Sequence, residues 1–87
     1  MNANKLIRYI NELGRVLKKR KVSELEKFMN EWKEDVSFPI VHKFLEADRN
    51  EKEIILNKMI YARKDLPQRT RDLAESWLLN KGVSIYL

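Results

Sequence analysis

The sequence predicts an all-α fold: a compact bundle of about five short helices with a short extended C-terminal tail. Three observations carry this expectation. Apolar residues recur at three- and four-residue spacing along most of the chain, and helix start and stop signals separate the periodic segments. Only two glycines and two prolines occur in 87 residues, with 44% hydrophobic residues, a composition of a folded chain rather than of a linker or disordered segment. That length leaves room for one domain, residues 1–87, built around one core.

The first helix is predicted from Leu6, Ile10, Leu13 and Leu17, with Tyr9 and Val16 widening the stripe and Arg8, Glu12, Arg15 and Lys19 opposite. Gly14 inside it costs about 1 kcal/mol relative to alanine, so a neighbour crossing closely there is expected. Ser23, three residues before Glu26, reads as a capping box that starts a second helix, whose stripe is Leu25, Phe28, Met29, Trp32 and Val36. Ser37 and Pro39 start a short third helix carrying Ile40, Val41, Phe44 and Leu45. Asp48 with Glu51, or Asn50 with Glu53, caps a fourth. There Ile55, Met59 and Ala62 form one ridge and Leu56 and Ile60 another, so the helix is apolar around much of its circumference and is expected at the centre. After Pro67 a fifth helix carries Leu73, Ala74, Trp77 and Leu78 and stops at Asn80-Lys81-Gly82. The tail, residues 83–87, alternates in period two and is expected to lie along the bundle. The expected shared core is Leu13, Leu17, Phe28, Trp32, Phe44, Ile55, Met59, Leu73 and Trp77.

Cysteine is absent, which excludes disulfides and thiolate metal sites, and no apolar run exceeds four residues. With no apolar signal-peptide core either, a cytoplasmic or nuclear setting is expected. The only histidine, His42, has Glu46 one turn on but no third ligand, so the pair reads as solvated surface and no metal is expected. A phosphate loop cannot be written with Gly14 and Gly82 as the only glycines. Glu31 and Asp35 share a face in a highly charged segment and read as solvated. No enzyme activity, cofactor or membrane association is expected.

The formal charge of +5 is unevenly distributed. Residues 1–21 hold seven basic side chains against Glu12, residues 24–35 are mainly acidic, and Arg63, Lys64, Arg69 and Arg71 form a second basic group. The run Lys18-Lys19-Arg20-Lys21 has two readings: cations complementing the negative end of the first helix, or a phosphate-binding patch joined by Arg63, Lys64, Arg69 and Arg71. It lacks interleaved aromatics that would stack on bases. Residues 36–45 have the spacing of the second helix of a helix-turn-helix. Glu31, Glu34 and Asp35 precede them, where acids would face incoming phosphates and oppose that motif.

Two stretches carry a family resemblance. Leu25-Glu26-Lys27-Phe28-Met29 through Trp32 to Val36-Ser37, and Thr70-Arg71-Asp72-Leu73-Ala74-Glu75-Ser76-Trp77, resemble the second and closing helices of the N-terminal, leucine–tryptophan domain of transcript elongation factor S-II and elongin A. The resemblance spans roughly residues 5–81 and implies a non-catalytic bundle that binds short motifs of disordered transcription factors without a cofactor, with Trp77 in its core. The expected function is therefore a protein-interaction module, transcription-associated, that binds an acidic and hydrophobic segment. The alternative is a small basic DNA-binding regulator of microbial or viral origin. Trp32 and Tyr61, with Tyr86 and the neighbouring Lys33 and Arg63, are the candidate groove for such a segment.

Overall fold

The computed structural model describes residues 3–85 and folds them into five helices, with no strand among the described residues: α1 (Ala3–Lys18), α2 (Val22–Glu31), α3 (Pro39–Glu46), α4 (Arg49–Ala62) and α5 (Gln68–Asn80). The radius of gyration, 12.8 Å, is close to the ~12 Å expected of a compact domain of this length. Among the described residues no helix is long and apolar enough to cross a membrane. Tyr86 and Leu87, which the sequence places in the tail, lie outside the described residues; Val83 and Ile85 before them are half-buried.

Helix α1 presents Tyr9, Leu13, Gly14 and Leu17 to the interior, whereas Leu6 and Ile10, expected in the same stripe, remain 40% and 42% exposed. The reason is aromatic. Tyr9 stacks on Phe38 with ring centroids 3.9 Å apart and planes within 5°, meets Trp32 edge-on at 5.2 Å and lies 5.3 Å from Phe28. Trp32 is also edge-on to Phe38. Offset-stacked and perpendicular rings both suit the aromatic quadrupole, so burying the largest ring of α1 outweighs burying Leu6 and Ile10. The Tyr9 hydroxyl is buried with no hydrogen-bond partner among the described residues, and burial pushes its pKa up.

The chain leaves α1 through Arg20, which has φ 54, the left-handed conformation usually taken by glycine after a helix. This tight reversal brings Val22 into the core, so α2 begins there with Lys21 at the N-cap. Ser23 consequently sits inside the first turn and makes no capping bond, which corrects the expected capping box. Helix α2 stops at Glu31, with Trp32 as its C-cap, and Val36, expected on its apolar stripe, is 88% exposed. Phe38 enters the core instead, one residue before Pro39 opens α3. Ser37 does not cap α3; its amide donates to Asp35 at 2.8 Å and shapes the turn.

Asp48 caps α4 by accepting from the Glu51 amide at 2.8 Å. As expected of a helix apolar on several sides, α4 packs against each of the other four. Its one buried polar residue, Asn57, donates to the Glu53 carbonyl at 2.8 Å and so satisfies its own amide group. Lys52 lies over the Phe44 ring and 3.8 Å from Glu26, joining α4 to α3 and α2.

Helix α5 packs mainly on α4. With one neighbour it buries a narrow stripe, Ala74 and Leu78, while Leu73 is 40% exposed and Trp77 is half-buried with Lys81 over its ring. Leu73 and Trp77 therefore do not join the main core, unlike Leu13, Leu17, Phe28, Trp32, Phe44 and Ile55; Met59 packs against it half-buried. The stop signal is a Schellman motif: the Val83 amide bonds the Leu78 carbonyl, the Gly82 amide bonds that of Leu79, and Gly82 has φ 70.

These local costs set two expectations for stability. Tyr9→Phe keeps the rings and removes the orphaned hydroxyl, so it should leave stability unchanged or raise it by about 1 kcal/mol, whereas Tyr9→Ala should cost about 3–5 kcal/mol. Arg20→Gly should stabilise by about 1 kcal/mol, because the left-handed conformation penalises side chains by that order. Urea denaturation monitored by circular dichroism measures both.

Candidate functional site

Of the surface depressions among the described residues, three bear on the candidate sites. The first joins the C-terminal half of α1 to the α4–α5 turn and is lined by Asn11, Gly14, Arg15, Lys18, Arg63, Asp65 and Leu66, enclosing about 220 Å³. Gly14 makes this approach possible. A Cβ there would lie 2.8 Å from Nη2 of Arg63, whose guanidinium rests against the α1 backbone. Asp65 fixes that guanidinium from the other side, accepting from Nε at 2.8 Å and from Nη2 at 3.2 Å. The Arg63 guanidinium holds the Asp65 carboxyl below its usual range, and the charge of Lys18 lowers it further.

The sequence groups eight basic residues into one expected patch, and the fold gives them different surroundings. Lys18 and Arg63 meet in the depression. Lys21, Lys64 and Arg69 are exposed, as is Arg20 in its left-handed turn. Lys19 is 3.5 Å from Glu24. Arg71 is half-buried and engaged elsewhere, donating to the Tyr61 carbonyl at 3.4 Å and to Gln68 at 3.2 Å, with its guanidinium 5.9 Å from the Tyr61 ring centre. It fastens α5 to α4. Arg15, which the sequence suggests only as part of the polar face of α1, is the addition; its i, i+3 spacing to Lys18 is the signal that could have found it.

The second depression lies between α3 and α4. Ile40, Ile55, Met59 and Ala62 form its apolar floor, Lys43 and Lys58 its basic rim, with Glu51 as the one acid, and it holds about 260 Å³. This is where the structure puts an apolar groove rimmed by lysines, rather than around Trp32 and Tyr61. Trp32 is 5% exposed, drawn inside by Tyr9, Phe28 and Phe38 and covered by Arg8, whose guanidinium sits 4.8 Å from its ring centre. Tyr61 is half-buried against the core beneath Arg71. Periodicity assigns Ile55, Met59 and Ala62 to a core ridge. Short α3 leaves part of that ridge uncovered.

The third depression is lined by Lys5, Arg8, Trp32, Asp35 and the exposed Val36, with Glu31 and Glu34. Asp35 accepts from the Ser37 amide and pairs with Lys5 at 2.9 Å, which lowers its pKa to about 2. Among the acids that oppose a helix-turn-helix, Asp35 thus has a structural role, tying the α2–α3 turn to α1. His42 and Glu46 are both exposed on α3, and no group of three His, Cys, Asp or Glu side chains suited to a metal occurs among the described residues.

Acid titration should report the Asp35 clamp. Its folded pKa lies below the ordinary carboxylate value, so its contribution is present above about pH 4 and is lost as the pH falls through about 2. Asp35→Asn should lower stability at pH 7 and flatten the loss between those limits, as followed by thermal melts across the range.

Comparison of the chain with protein-family models, with curated proteins and with solved structures finds no match.

Proposed function

We propose that the protein is a non-catalytic helical interaction module whose α3–α4 groove takes an acidic, apolar segment of a protein partner. The observation that carries this reading is the pairing of the Ile40, Ile55, Met59 and Ala62 floor with the Lys43 and Lys58 rim. An apolar floor receives side chains spaced at i and i+4 on a docking helix, and the two ammonium groups favour carboxylates on its flanks. The net charge of +5 steers an acidic segment toward the surface in the same sense. The likeness of residues 25–37 and 70–77 to the S-II N-terminal domain favours a partner in transcription.

A labelled 15-residue amphipathic peptide, with leucine and phenylalanine on one face and glutamate on the other, provides the test. Titration should shift the methyl resonances of Ile40, Ile55 and Met59 ahead of those of Leu6 and Leu73. Lys43→Glu with Lys58→Glu should weaken binding by about tenfold or more while leaving the melting temperature near that of the parent, because both side chains rim the groove rather than fill the core. Methyl shifts confined to other surfaces, or an affinity indifferent to the two reversals, would reject the groove.

A further inference from the structure

We propose that the depression between α1 and the α4–α5 turn binds the phosphodiester backbone of duplex nucleic acid. This is a surface separate from the α3–α4 groove, and it stands or falls on different residues.

Several cations of the fold are neutralised locally: Lys5 by Asp35, Lys19 by Glu24, Arg49 by Glu53, Lys52 by Glu26 and Arg63 by Asp65. Arg15 and Lys18 both line the depression and form no ion pair among the described residues, although Arg15 also borders a neighbouring depression that holds Glu12, Glu24 and Glu31. Arg63 completes the trio, and Asp65 is the sole carboxylate among the lining residues. Three cations against one acid leave an excess of positive charge in a concave surface, where low-dielectric walls concentrate the field.

The depression is also preorganised. The Arg63 side chain is held by the Gly14 backbone on one side and a bidentate carboxylate on the other, so its guanidinium is presented in a fixed orientation. A phosphate arriving at the mouth meets one guanidinium, that of Arg63, which has already lost much of its rotamer freedom, beside the exposed Arg15 and Lys18.

The helix dipole accounts for a cation in the last turn of α1, but not for Arg63 being brought across from the end of α4. A duplex is favoured over a single strand because the lining contains no aromatic residue on which an unpaired base could stack. Contacts made only to phosphates carry no base information, so binding should be independent of sequence.

Fluorescence anisotropy with a labelled 20-base-pair DNA duplex tests the proposal. Micromolar binding is expected at about 50 mM salt, weakening about 12-fold by about 200 mM, as two phosphates neutralised by the unpaired Arg15 and Lys18 at a slope of about 0.9 each require. Arg15→Gln with Lys18→Gln should bring the slope from about −2 to near zero and weaken low-salt binding at least about tenfold. Both side chains are exposed, so the fold should persist, and an unchanged circular dichroism melt checks it. Lys43→Gln with Lys58→Gln serves as the control and should leave the slope unchanged. An affinity that both double variants lower equally, a slope unaffected by Arg15→Gln with Lys18→Gln, or tighter retention on phosphatidylserine vesicles than on the duplex would overturn the proposal.

Discussion

The Tyr9 ring is the constraint on which the arrangement of the first three helices depends. It stacks on Phe38 at the entry to α3 and meets Phe28 and Trp32 at the end of α2, so one side chain of α1 touches both neighbouring elements through flat, rigid surfaces. Aromatic faces transmit orientation as well as burial, since a stacked pair tolerates little rotation. Rolling α1 to seat Tyr9 places Leu13 and Leu17 inward along the same line and leaves Leu6 and Ile10 at the rim. The same roll brings Gly14 to the end of α4 and presents Arg15 and Lys18 beside it. Core and surface are set by a single rotation.

How much of this was legible in the sequence depends on whether the determinant was local. Asp48 capping α4, Pro39 opening α3 and Gly82 closing α5 are decisions made within a few residues, and each is readable as such. The central place of α4 was equally readable, because no single neighbour could cover its apolar surface. Ser23 misled because a capping box is a local preference, and burying Val22 moved the helix start ahead of it. Leu73 and Trp77 misled for a different reason. Periodicity reveals which side of a helix is apolar, but not how many neighbours are present to cover it, and α5 has principally one.

The candidate sites show the same division. Composition and charge order pointed to a basic surface, and the fold unites Lys18 with Arg63 from distant parts of the chain while diverting Arg71 into a contact with Tyr61. No spacing rule connects Gly14 to Arg63; their meeting follows from how α1 lies across the end of α4. The lysine-rimmed groove was hidden because its floor residues read as core. Where the eight-residue α3 meets α4, Ile40 and Met59 remain half-buried.

The one-sided packing of α5 has a consequence for motion. A helix held chiefly by Ala74, Leu78 and the Arg71 strap can separate from α4 while the aromatic cluster stays intact. Such partial opening lies below global unfolding in free energy, and amides of the outermost element exchange with solvent through it. The departure of α5 would bare Tyr61 and the flank of α4, the one helix in contact with all the others. Opening of α5 alone would thus alter the accessible face of the central helix while α1 to α4 stay packed on one another.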